Sequence, residues 1–180
     1  MVRRRAVALL AVLLAPVVLG ACTPAASVEE HERSREEVRA AAAEVIPALA
    51  DALGGEVRWA RGEYEAYGLK DDLTLAYQAD ADITVVTTRD DVAAAVTGLD
   101  WTVDDDAGDG PSVVGERGDL TLRATVREDH VQLSVDGPRL GVGDERPERN
   151  GQEGLGLPYP TFVPYESPGA TPSPSDDAEG

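Results

Sequence analysis

The sequence predicts an α+β domain over residues 29–140, an antiparallel sheet of about five strands with two helices on one face, in the order α-β-β-α-β-β-β. Two stretches carry apolar residues at spacings of three and four, several shorter runs alternate apolar with polar, and all periodicity stops near Gly137. These three features also set the boundaries. Residues 1–21 read as a leader, 22–28 as a tether, 29–140 as the globular domain and 141–180 as a disordered Pro/Gly-rich tail.

The first helix starts at a capping-box pattern, Ser27-Val28-Glu29-Glu30, whose hydroxyl and carboxylate can take up the free amides of the first turn. Val38, Ala42, Val45, Ile46, Leu49 and Leu53 then mark one apolar face. Pro47 lies inside that pattern and predicts a kink or restart, because proline has no N–H to give to the preceding turn. Gly54-Gly55 ends the helix. Glu29 to Arg39 show almost no apolar face and read as a solvated stalk.

A strand follows from Glu56 to Tyr67, with Val57 and Trp59 on one face and Gly62 as a candidate bulge. Leu73, Leu75, Tyr77 and Ala79 alternate, which predicts a second strand over 72–80 that Ile83 and Val85 either extend or follow. Thr88 and Asp91 have capping spacing ahead of Val92, Ala95, Val96 and Leu99, which predicts the second helix. Trp101 and Val103 begin an extended piece, and Val113-Val114 lead to a turn at Gly115–Asp119. The clearest pattern is a hairpin. A turn around Glu128-Asp129 pairs Val126 with Val131, Ala124 with Leu133 and Leu122 with Val135, all on one face. The opposite face carries Thr, Gln, Ser and Arg and is expected to be wet.

The amino terminus carries the most specific motif. Arg3-Arg4-Arg5 precede an uncharged, mostly apolar run from Ala6 to Leu19, too short to span a bilayer and interrupted by Pro16. Leu19-Gly20-Ala21-Cys22 closes it. This segment resembles the lipobox of bacterial lipoproteins at all four positions. The resemblance implies cleavage between Ala21 and Cys22, with a diacylglyceryl thioether on Cys22 as the membrane anchor, and a location on the extracytoplasmic face. Cys22 is the single cysteine, so an internal disulfide is excluded. Length, lipobox and element order are also similar to small actinobacterial lipoproteins of the mycobacterial LppA kind, a likeness that assigns no site. One lysine against 15 arginines agrees with a high-GC, actinobacterial source.

The whole chain has a formal charge of −18, and without residues 1–21 it keeps 13 basic against 34 acidic residues, a net −21. Such a chain repels nucleic acid and anionic head groups. No metal, cofactor or catalytic motif emerges. The acidic turn Asp104–Gly110 fits a calcium loop in neither register, because glycine or alanine falls where side-chain oxygens are needed. His31 and His130 stand in polar surroundings and read as surface histidines. Trp59, Tyr64, Tyr67, Tyr77 and Trp101 read as core and edge packing. Ser112, in Gly110-Pro111-Ser112-Val113-Val114, lacks the second glycine of a nucleophile elbow.

These readings point to a non-catalytic envelope lipoprotein that presents a small domain and a tail to an envelope protein. The alternatives are a carrier of a small apolar or glycan ligand and, further off, a cell-wall hydrolase. The tail holds the candidate docking residues, since Leu155, Leu157, Tyr159, Phe162, Val163 and Tyr165 cluster among prolines. Tyr159, Phe162 and Tyr165 would anchor a partner, or the segment folds back onto its own domain.

Overall fold

The computed structural model describes residues 25–69, 72–104, 110–148 and 151–161. The chain forms β1 (Ala25–Ala26), α1 (Val28–Leu53), β2 (Glu56–Tyr67), β3 (Thr74–Thr84), α2 (Arg89–Gly98), β4 (Thr102–Val103), β5 (Ser112–Arg117), β6 (Leu120–Val126), β7 (His130–Asp136) and β8 (Leu140–Val142). The α+β class and the two helices stand. The sheet has eight strands rather than about five, in the order β1-β8-β3-β7-β6-β5-β4, with β2 on the other edge of β3. It is mixed, because β1 runs parallel to β8. The additional strands are two or three residues long, too short for a period of two to register in a sequence.

Both helices cover one face of the sheet. Helix α1 packs on β2, β3 and β7, and α2 packs on β4, β5 and β6. Between the layers lie Val45, Ile46 and Leu49 of α1, Val92 and Val96 of α2, and Tyr77, Ile83, Leu122 and Leu133 of the sheet. Both capping boxes form, Ser27 with Glu30 and Thr88 with Asp91. Gly54 closes α1 in the left-handed region at φ 67°. Helix α1 continues unbroken through Pro47. The fully buried neighbours Val45, Ile46 and Leu49 hold it there, offsetting a proline cost of about 3 kcal/mol.

Helix α1 is also buried further towards its start than expected. His31 and Ser34 are 1% and 6% exposed and continue the stripe of Val38, Ala41, Ala42 and Val45. The first turns are therefore no stalk, and His31 is no surface residue. The stripe was hidden because its first two members are polar. Its contacts are aromatic and backbone: the His31 ring meets Tyr64 edge to face at 6.3 Å, and the Tyr64 hydroxyl donates to the His31 carbonyl at 3.1 Å.

The 120–135 hairpin has the expected register, with Leu122 opposite Val135, Ala124 opposite Leu133 and Val126 opposite Val131. The Arg127 N–H donates to the His130 carbonyl across Glu128-Asp129. Elsewhere the details move. The second strand runs on to Thr84 and takes in Ile83. β5 continues to Arg117, so the turn narrows to Gly118-Asp119, with Gly118 at φ 61°. The bulge in β2 falls between Val57 and Trp59, not at Gly62. Gly62 is required for another reason: a Cβ there would overlap the Tyr77 hydroxyl and press on Leu155.

The domain also extends past both expected ends. Ala25 and Ala26, in the expected tether, pair with Gly141 and Val142. Residues 151–161, expected to be disordered, lie along the outer edge of β2. Gly62 and Glu153 exchange both backbone hydrogen bonds at 2.8 Å, and the Ala60 N–H donates to the Pro160 carbonyl at 2.9 Å. Leu155 is buried, and Leu157 and Tyr159 pack against the core. The start of α1 is buried by the sheet itself: His31 meets Tyr64 of β2, and Ser34 lies against Gly137, where a Cβ would come within 2.8 Å of its Oγ.

Candidate functional site

The helix-free face of the sheet is the candidate site, and strand parity determines what lines it. After the bulge, Trp59, Arg61, Glu63, Glu65 and Tyr67 of β2 fall opposite Asp82, Asp80, Gln78, Ala76 and Thr74 of β3. Across β3, Gln78, Asp80 and Asp82 meet Asp136, Ser134 and Gln132 of β7. Beyond them stand Thr121, Arg123 and Thr125 of β6. These are the residues left over once the alternate positions have entered the core.

Two hollows run into each other on this face. One, of about 550 Å³, lies by Tyr67, Gln78, Asp136 and Arg139. The other, of about 350 Å³, lies by Trp59, Arg61, Asp80 and Gln132. Arg123 and Ser134 line both. The larger hollow owes its rim to an irregularity. Gln78 pairs with Asp136 and Leu75 with Leu140, so Gly137, Pro138 and Arg139 occupy the span of two residues on β3. Pro138 has no N–H for the ladder, and a strand interrupted this way bulges and re-aims its next side chain. Here that side chain is Arg139, whose guanidinium sits 3.9 Å from the centre of the Tyr67 ring.

A hydrogen-bond chain fixes the centre. The Gln78 amide donates to Asp80 Oδ1 at 2.7 Å and to Ser134 Oγ at 3.2 Å, and Ser134 donates to Asp136 Oδ2 at 2.7 Å. Burial nevertheless dominates for both carboxyls and raises them above the ordinary aspartate value, against the lowering pull of these bonds. Asp82 is 5% exposed; its Oδ2 lies 3.7 Å from His130 Nε2 and its Oδ1 has no hydrogen bond. Arg61 reaches Glu63 at 3.5 Å and Asp80 at 3.8 Å, lies 5.0 Å from the Trp59 ring centre, and has a buried Nε without a hydrogen bond. Arg123 is exposed, and among the described residues no hydrogen bond or ion pair holds it. Hydrogen-bonded acceptors, amide groups and a guanidinium free of hydrogen bonds among the described residues therefore share one surface.

A second polar cluster sits under the docked tail. Glu153 receives Arg35 through both of its oxygens, at 2.9 and 2.5 Å, together with Arg39 at 3.1 Å and the Tyr77 hydroxyl at 2.5 Å. Burial pushes the Glu153 carboxyl upward, but the bonds from Arg35 and Tyr77 outweigh it and hold the group below the ordinary glutamate value. Burial and the same bond push the Tyr77 hydroxyl up.

The expected site residues divide accordingly. Tyr159 packs on its own domain. Phe162 and Tyr165, like Ala21 and Cys22, lie outside the described residues. So do residues 105–109 of the acidic turn, and among the described residues no group of three His, Cys, Asp or Glu is placed to hold a metal ion. No described helix is long and apolar enough to cross a membrane. Sequence reasoning missed Glu153, which no local pattern marks, and Arg139, which only the bulge turns outward. The trough residues were legible as a polar face and no further. Trp59 and Tyr67 line it, whereas Tyr77 and Trp101 belong to the core.

No family model and no curated protein matches the chain. Among solved structures it is similar to a DUF4853 family protein from Actinomyces odontolyticus, with a TM-score of 0.46 and 11% identity over 64% of this chain and 70% of that one. Similarity at that level lends no residue a role.

Proposed function

We propose that this is a non-catalytic envelope lipoprotein, anchored through Cys22, that binds an extracytoplasmic partner or ligand on the helix-free face of its sheet. The observation that carries the proposal is Arg123, an exposed guanidinium that makes no hydrogen bond or close ion pair among the described residues and acts on Asp136 only through its charge, beside a hydrogen-bonded floor of Gln78, Ser134, Asp80 and Asp136. A surface kept only for solubility has no need of a rigid floor. The charged and amide lining supports a polar ligand over an apolar one.

The anchor reading is supported by Leu19-Gly20-Ala21-Cys22. Its consequence is sharper with the fold in hand. Two residues, Thr23 and Pro24, lie between Cys22 and Ala25, so three Cα steps give a reach of about 11 Å, and Ala25 is already paired into the sheet. A lipid on Cys22 would hold the β1–β8 edge close to the bilayer, with Arg139 only one residue before β8.

One experiment tests both halves. A photocrosslinking side chain placed at Thr125, on the open face, should capture a discrete envelope component in native membranes, whereas the same group at Glu36 on α1 should not. Cys22→Ser should release the protein from the membrane fraction or leave it uncleaved. Equal capture at both positions would remove the face from the proposal, and a lipid-free mature wild-type protein by intact mass would remove the anchor.

A further inference from the structure

We infer that the smaller hollow, between Arg61 and Arg123, is a binding site for the oxyanion group of an acidic ligand. The inference rests on the reading of the open face as the binding surface and is independent of the lipid anchor.

The chain is strongly acidic, with 34 carboxylate residues against 16 basic ones. This hollow departs from that balance. Two arginines line it, and Asp80 is the one carboxylate among its lining residues. Neither guanidinium is held by a hydrogen bond among the described residues. Arg61 is positioned by the Trp59 ring and by contacts to Glu63 and Asp80 that are too long for hydrogen bonds, and its buried Nε, 3.8 Å from Asp80 Oδ2, makes no hydrogen bond. Buried donors are ordinarily paired, so one left open beside a hollow marks the place of a missing acceptor. Arg123 approaches from the opposite wall with all five of its N–H groups uncommitted among the described residues.

The spacing suits convergence. Arg61 stands on β2 and Arg123 on β6, three strand spacings apart across β3 and β7, or roughly 14 Å between backbones. Both side chains line the hollow between those strands, together with Asp80 and Ser134. Gln132 adds a neutral donor, since its Oε1 takes both bonds from Arg127 at 3.2 and 3.1 Å and its amide nitrogen is left for the hollow. Planar guanidinium forks are matched to carboxylate and phosphate oxygens, to which they donate in pairs. At about 350 Å³ the hollow has room for a group the size of one monosaccharide. The ligand class is therefore a small carboxylate- or phosphate-bearing group at the end of a larger envelope molecule.

The test uses the full mature chain in detergent micelles, with D-glucuronate, glycerol phosphate and neutral D-glucose as probes. The Trp59 indole N–H and Arg61 Nε–H resonances should shift saturably with one or both anions, at about millimolar Kd, and not with glucose. A stronger response to glucuronate assigns the carboxylate, and a stronger response to glycerol phosphate assigns the phosphate. Arg123→Gln should weaken binding about tenfold with an unchanged melting curve. If that variant does not fold, Arg123→Lys, which keeps the charge and loses the fork, should still weaken it. Shifts by glucose equal to those by the anions, no saturable anion response, or wild-type affinity in the Arg123 variant would each overturn the inference. Should the anions fail while crosslinking at Thr125 still depends on Arg123, the oxyanion site falls and the surface reading stands. Loss of both removes both.

Discussion

The tail clamp and the open trough are built from the same side-chain types and reach opposite electrostatic ends. At the clamp, one carboxylate faces two arginines and a phenol, and every oxygen of Glu153 is taken up by good donors. At the trough, Asp80 and Asp136 are half-buried with fewer donors than they could use, while Arg123 has none of its donors engaged within the described residues. Burial acts in the same direction on all three carboxyls. The charge-assisted bonds overcome it at the clamp and fall short in the trough. A complete cluster holds a structure together. An incomplete one leaves binding capacity at the surface, and for that reason the clamp reads as internal architecture and the trough as the working face.

Three experiments would break or sharpen this contrast. The largest effect belongs to Gly62→Ala. Its Cβ would displace the Tyr77 ring and with it the hydroxyl that Glu153 accepts from, so denaturant unfolding should show a loss of about 3 kcal/mol. A loss below about 0.5 kcal/mol, the range of an ordinary surface change, would mean that the clamp does not bear on stability. Glu153→Gln comes next. It keeps the shape but leaves Arg35 and Arg39 facing a neutral amide, and because these groups are about a quarter exposed the cost should be near 1–2 kcal/mol rather than the full buried-pair value. Faster proteolytic cleavage between Gly143 and Gly151 should accompany it, and unchanged cleavage would separate the carboxylate from tail docking.

The smallest effect is in pH dependence, where the two regions should oppose each other. Glu153 is depressed in the folded state, so its contribution is present above the ordinary glutamate pKa and is lost as pH falls through its lowered value. Asp80 and Asp136 are raised, so the native state holds extra protons above the ordinary aspartate pKa, and stability falls as pH rises through their raised values. In the double variant Asp80→Asn, Asp136→Asn, the second arm should vanish. Unfolding midpoints measured from pH 3 to 7 should then give equal or higher stability than wild type at pH 7, and an unaltered slope would show that the two carboxyls are not the source.

Much of the fold was legible in the sequence because its signals are local. Ser27-Glu30 and Thr88-Asp91 place both helix starts within three residues of chain, and Gly54 closes the first helix by its left-handed φ. The 120–135 hairpin follows from a period of two folded on a short turn, where a slip of one residue would expose every apolar side chain. The same parity made the open face readable as polar. Its function was not readable, because nothing in Arg61, Arg123 or Asp80 says which of them face one another across four strands.

The sequence by itself determined the α+β class, the helix caps, the hairpin register and the division of the sheet into a core face and a polar face. These rest on interactions within a turn or two of chain, or on a periodicity that burial enforces. The tertiary structure alone decided that His31 is buried, that Ala25-Ala26 and Leu140–Val142 are strands, that Arg139 turns outward at Pro138, and that Glu153 holds the tail on α1. Each of those depends on a partner far away in sequence. Arg35 and Glu153 are 118 residues apart, and a contact of that span is chosen by which surface remains uncovered after the local elements have packed, a property that no window of residues contains.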